Sequence, residues 1–178
     1  CCNMPSLNTS LILSLLADAQ QTDGGAVFQP RPLITLREHL LSGVGAGKAD
    51  VSYGPARRTL AGGASEELDL QGTLKDMNNN AAIFARVHLF YFRNTKLNTD
   101  VGATLEGGGV VGTVENFKLF KSTDDIAEVG PAGLIIMLEP SAAGRPVTAG
   151  TNDLLRIANV SSPLVSISYD ILIVGASA

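Results

Sequence analysis

The chain has 178 residues, of which 45% are hydrophobic and 17% charged, with a formal net charge of −4. That length suits one domain, or one domain with an arm, able to bury about 70% of the surface of the unfolded chain. The acidic balance argues against nucleic-acid binding and direct genome packaging, because Arg57-Arg58 and the scattered Arg86, Arg93 and Lys96 are too sparse for a phosphate-binding stripe and there is no basic arm. No run of 18 apolar residues could form a membrane-spanning helix, so no membrane partner is expected. A chain so poor in charge fits either a protein that buries surface against partners or one with a well-filled core.

In chain order, Cys1-Cys2 comes first. Neighbouring cysteines do not make a disulfide framework, and the remaining residues contain no cysteine. Residues 5–20 offer the best helix, capped by Asn8, Thr9 or Ser10, with Leu11, Leu15 and Leu16 as a short apolar stripe. The run Leu11 to Leu16 resembles a short signal core, yet it lacks a basic flank and a cleavage site. Gln20 to Gly25 breaks the helix, and Pro30 and Pro32 force an extended path. Residues 1–30 therefore read as an N-terminal arm, extended or helical, and residues 31–178 as a β-sandwich domain.

Residues 33–41 alternate loosely, as a strand or a short helix. Gly43 to Asp50 is a loop, 51–60 is extended, and 66–70 is a short strand closed by Gly72. Asn78-Asn79-Asn80 marks a turn. The strongest central strand follows. Ile83, Ala85, Val87, Leu89 and Tyr91 share an apolar face that should meet the core, while Phe84, Arg86, His88, Phe90 and Phe92 share a mixed face suited to a partner subunit. Turns are expected at 94–100, at Asp124-Asp125 and at Gly130-Pro131, with short strands at 101–105, 109–114 and 117–120. Residues 134–138 form a continuous apolar run that suits a buried strand, and 140–150 a loop before a strand at 154–158. Last comes a period-two pattern in which Val165, Ile167, Tyr169, Ile171 and Ile173 make one apolar face. Eight or nine short strands at this spacing predict an all-β fold, a jelly-roll-like two-sheet β-sandwich, with an immunoglobulin-like sandwich second.

The candidate chemistry is thin. Gly43-Val-Gly-Ala-Gly-Lys48 invites a phosphate-loop reading, but Ser42 stands where that motif needs glycine and Ala49 where it needs a hydroxyl for Mg²⁺. The loop glycines better serve a sharp turn or a close approach to another chain. His39 and His88 are the only histidines, and a zinc or catalytic site would need them to meet each other or an acid. Glu67 and Asp69 alternate on one strand face as an acid–base pair on a sugar would, beside Glu66 and the turn acids Asp124-Asp125. With no Trp and nine Phe and Tyr, a charged strand edge is the better reading. Arg57-Arg58 suits intersubunit ion pairs or a plain solvated pair. No serine sits in Gly-x-Ser-x-Gly. No residue is assigned to catalysis, to a cofactor or to a metal.

Three segments together resemble small virion structural proteins of tailed bacteriophages and prophages. They are Gly45-Ala-Gly-Lys-Ala-Asp50 with Arg58-Thr-Leu60; Glu67-Leu-Asp-Leu-Gln-Gly72 with Phe84-Ala-Arg-Val87 and Arg93-Asn94; and Val147 to Asn159 ending in Tyr169-Asp-Ile-Leu-Ile-Val-Gly175. The resemblance covers residues 43–178 and leaves the N-terminal arm outside it. It implies a non-enzymatic capsid decoration (cement) protein, a β-sandwich assembled as a homotrimer. Its partner would be the major capsid protein, and its place the virion, assembled in the host cytoplasm. It carries no catalytic residues. The rival expectation is a carbohydrate- or receptor-binding module of a phage tail or fibre, with a pocket lined by Tyr53, Tyr91 or Tyr169.

Overall fold

A computed structural model describes residues 7–16, 21–23, 26–28, 33–76, 78–95, 103–107, 126–159 and 165–178. Among the described residues the chain is all-β, with no helix. The strands are β1 (Thr9–Leu16), β2 (Gln21–Asp23), β3 (Ala26–Phe28), β4 (Leu33–Ser42), β5 (Lys48–Ala49), β6 (Val51–Tyr53), β7 (Arg58–Leu60) and β8 (Ser65–Asp69). They continue with β9 (Arg86–Asn94), β10 (Ala103–Gly107), β11 (Ile126–Val129), β12 (Leu134–Leu138), β13 (Arg145–Pro146), β14 (Leu154–Asn159) and β15 (Ile167–Ala176). These 15 strands exceed the eight or nine expected because several are two- or three-residue pieces. The strands expected at 109–114 and 117–120, the turn at Asp124-Asp125, and Cys1-Cys2 lie outside the described residues.

Two sheets share the main core. One runs β11-β10-β14-β8; the other runs β12-β9-β15-β6, with β13 on β9 and β7 on β15. From the first sheet Leu68, Val129, Leu155 and Ile157 point inward. From the second come Phe90, Phe92, Ile167, Tyr169, Ile171 and Ile173. The alternation expected of the last strand holds from Ile167 to Ile173, whose odd-numbered side chains are all buried. Such burial is the main favourable contribution to folding, roughly 1.5–3 kcal/mol for each large apolar side chain.

A third layer, β1-β4-β5, covers part of the outer face of the second sheet. There Leu40 and Ala49 pack with Leu89 and Val174, flanked by Leu7, Leu11, Ile136, Leu138 and Leu172. The helix expected over 5–20 is thus a strand at Thr9–Leu16, paired antiparallel with β4 from Thr9↔Leu40 to Leu16↔Leu33. Its leucines fit either period. Eight consecutive pairings with β4 decide for the strand, since they satisfy the main chain and place Leu7 and Leu11 over the second core.

The central strand departs from its expected faces. Leu89 opposes Val174 but Val87 opposes Gly175, so His88 is an extra residue in a β-bulge. The bulge reverses the alternation. Val87 therefore joins Phe90 and Phe92 in the main core, and Phe84 is buried there too, while Leu89 faces the third layer. The aromatics expected to face a partner subunit fill the interior instead, and Ile83, expected in the core, is 44% exposed. The run 134–138 is an outermost strand, not a buried one: none of its five side chains is fully covered, and Leu134 is 49% exposed.

The turn expected at Asn78-Asn79-Asn80 is held by Asp76. Its Oδ1 accepts from the Asn78 and Asn80 amides at 2.8 Å each, and Asn79 adopts φ 64°. The Asn80 amide, more than any other neighbour, holds the Asp76 carboxyl below its usual 3.8. A carboxylate with a depressed folded value stabilises the fold above its unfolded value, and that contribution disappears as pH falls through the folded one. Asp76→Ala is therefore expected to flatten the loss of stability on acidification below about pH 4, read by urea unfolding at a series of acid pH values. An unchanged acid limb in the variant would refute this.

Candidate functional site

The glycine loop joins β4 to a parallel β5. Three of its amides are tied to other main-chain groups. Gly47 N donates to Pro140 O at 2.9 Å, Lys48 N to Gly45 O at 3.1 Å, and Gly43 N to Ala49 O at 3.1 Å. Gly43 and Gly47 hold positive φ, which suits glycine in so sharp a turn. Ala49 is fully buried in the second core, where a hydroxyl would displace apolar packing. The loop serves as a turn between sheet layers, fastened through these three donors.

The two histidines lie apart in the fold. His39 is exposed on β4, opposite Ser10. His88 is buried at the bulge, with Nδ1 2.9 Å from Glu139 O and Nε2 without a partner among the described residues. Arg145 Nε lies 2.8 Å from Glu139 Oε2, close enough to pair in charge but not aligned as a hydrogen bond. Among the described residues no three His, Cys, Asp or Glu side chains converge on a point that could hold a metal ion. Glu67 is exposed, and Asp69 Oδ1 accepts from Gln71 N at 3.0 Å to close the strand end.

The densest polar cluster joins the two main sheets at the margin of their shared core. Arg58, on β7, donates through Nε to Glu66 Oε1 at 3.0 Å and to Tyr169 OH at 3.1 Å. Its Nη1 donates to Tyr53 OH at 3.4 Å, and its Nη2 pairs with Glu66 Oε2. Period two places these groups together: Glu66 and Leu68 alternate inward on β8, while Tyr169 follows Ile167 on the inner face of β15. The hydrogen bond to Glu66 holds the Arg58 guanidinium above its usual value, and burial pushes the Tyr53 phenol up. Next to it, on the outside, Arg57 Nε donates to Asp170 Oδ1 at 3.1 Å. The Arg57-Arg58 pair therefore makes ion pairs within the chain, where intersubunit pairs or a free solvated pair had been expected.

The Glu66 carboxylate is held at two points by the Arg58 guanidinium, which also donates to both phenol oxygens. The cluster acts as a clasp between sheets. Tyr53 and Tyr169 are buried and spend their hydroxyls on Arg58, so neither offers an open ring to a sugar; Tyr91 is half-buried. Arg58→Met is expected to cost about 1–2 kcal/mol, allowing for a side chain that stays more than a third exposed, measured by urea unfolding. Tyr169→Phe should cost less, because only one of several acceptors is lost. A loss under about 0.3 kcal/mol for Arg58→Met would reduce the clasp to a surface pair.

No protein-family model, curated protein or solved structure matches the chain.

Proposed function

We propose that the chain is a non-enzymatic structural protein of a virion: a capsid decoration (cement) protein, jelly-roll-like in its sandwich, that binds the major capsid protein as a homotrimer and stabilises the shell. The observation that carries this reading is where the exposed apolar surface lies. Among the described residues, five of the seven large hydrophobic side chains left exposed are Ile12, Ile34, Leu36, Leu41 and Val44, all on β1, β4 and the turn that follows. Scattered single hydrophobics are ordinary on a protein surface, but these gather on one layer, Ile34 and Leu36 on one face of the β1–β4 ribbon and Ile12 and Leu41 on the other, and a ribbon apolar on both faces suits contact with a partner. The resemblance of residues 43–178 to virion structural proteins supplies the kind of contact, and the clasp supports a body built to hold rather than to react.

The test is the mass of the purified protein by light scattering, alone and with purified empty shells of tailed bacteriophages. A trimer that co-sediments with shells is the expected result. A monomer that leaves every shell unbound would overturn the reading.

A further inference from the structure

Outermost strands expose unpaired amides and carbonyls, and proteins commonly protect them with charge or proline. Among the described residues, the outermost strands of four or more residues are β1, β8, β11 and β12. β8 carries Glu66, Glu67 and Asp69, and β11 carries Glu128. β1 reads Thr-Ser-Leu-Ile-Leu-Ser-Leu-Leu and β12 Leu-Ile-Ile-Met-Leu, with no charge and no proline in either. Among the described residues two edges are thus left open, and both carry side chains that burial would favour: Ile12 is 63% exposed and Leu134 49%.

We propose that the β1 edge of one copy pairs with the β12 edge of a second copy, head to tail, and that this junction, repeated around a closed ring, is the self-association interface. The occupant is a second copy because only that contact covers both open edges at once. A symmetric β1–β1 contact would leave β12 bare, and an unrelated partner would cover one edge only. A head-to-tail contact that closes makes a ring. β1, with eight residues, is long enough to match all five of β12. Main-chain hydrogen bonds would supply affinity and the alternating side chains register. The apolar stripe of the β1–β4 ribbon supports the same junction. Its near end, Leu7, Leu11 and Leu40, belongs to the same apolar cluster as Ile136 and Leu138 of its own β12. Its far end, Leu36 and Ile34, continues into solvent. The apolar stripe that shares a cluster with β12 within one chain is therefore offered again to the next.

This inference rests on the self-association in the proposed function and is independent of the shell, so its test uses the full chain alone. Ile12→Lys and Leu134→Lys alter exposed side chains, one on each edge. Each is expected to weaken association at least about tenfold and give monomers by light scattering, with the far-ultraviolet spectrum of the wild type. An equimolar mixture of the two should form a one-to-one heterodimer, since one variant keeps an intact β12 and the other an intact β1, and their blocked edges stop further growth. Ile83→Lys, also exposed, should keep the wild-type mass. If Ile12→Lys misfolds, Ser14→Lys on the same strand takes its place. A monomeric wild type, a variant that keeps the ring, a mixture that stays monomeric, or a monomeric Ile83→Lys would each overturn the junction. A ring that forms as described and ignores shells would leave it standing and remove the shell reading.

Discussion

Gly175→Ala is expected to cost about 3 kcal/mol or more. Gly175 lies on β15 between two partners, opposite Val87 on one side and Val51 on the other. Its carbonyl accepts from Asp50 N at 3.0 Å. A Cβ there would fall far inside van der Waals contact distance of Arg86 O and 3.0 Å from Phe84 Cδ1. The obstacle is the main chain of a paired strand, which cannot turn aside as a side chain can. Relief would require β9 and β15 to separate at the bulge, losing the neighbouring bond from Ala85 N to Ala176 O. Overpacking usually costs about 1–3 kcal/mol, and a clash with fixed backbone belongs at or above the top of that range. Gly72→Ala is the control, since the clash there is with the movable end of the Asp69 side chain at an exposed position. Urea unfolding should separate the two clearly. Less than about 1 kcal/mol for Gly175→Ala would show that the bulge yields freely.

The same bulge explains what the sequence made legible. Strand β15 can be read directly, because Ile167, Tyr169, Ile171 and Ile173 keep a single phase along a regular strand. Strand β9 cannot, because its apolar residues follow two phases, Val87 on one and Phe90 and Phe92 on the other, and period two forces a choice between them. The extra residue His88 lets all three share a face. That slip of phase was itself the available signal for a bulge, since an irregularity of one residue turns every later side chain over. At the N-terminus the difficulty was different: the six residues Leu11 to Leu16 are too few to separate the two periods, and the decision comes from pairing with β4. The run 134–138 was recognisable as a strand but not as an outermost one, because burial depends on neighbours outside the segment.

The clasp was visible only in part. Arg57-Arg58 stands out as a pair, but Asp170 lies 113 residues from Arg57, and no local spacing joins them. Glu66 is eight residues from Arg58. Even so, the alternation of Glu67 and Asp69 drew attention to the outward face of β8, while the acid that pairs with Arg58 points inward between Ser65 and Glu67. A charged residue in phase with Leu68 was the available sign, since an inward acid needs a cation or donors to meet it. Tyr53 and Tyr169 fit the same logic, aromatic bodies in the core with their hydroxyls at its margin.

Phe92→Ala should produce the other large loss, about 3–5 kcal/mol by urea unfolding, a fifth or more of the roughly 5–15 kcal/mol that holds a typical domain together. Phe92 is fully buried in the middle of the larger sheet, with Ile135 and Ile171 directly opposite it on the two flanking strands. Its ring stacks on Tyr169 with centroids 5.2 Å apart and planes 24° from parallel. Truncation leaves a cavity in a layer whose backbone is fixed on both sides by ladders, so little collapse can follow. It also frees one face of the Tyr169 ring, whose hydroxyl accepts from Arg58. Phe92→Leu keeps most of the volume and should cost less than half as much, and the shortfall against alanine measures the cavity. The stack adds a coupling: with Tyr169→Leu already made, Phe92→Leu should cost about 0.5–1.5 kcal/mol less than in the wild type, the range of an aromatic pair beyond its burial. If the two losses simply add, Phe92 and Tyr169 contribute as independent apolar fillers, and the link from central strand to clasp is broken at that ring.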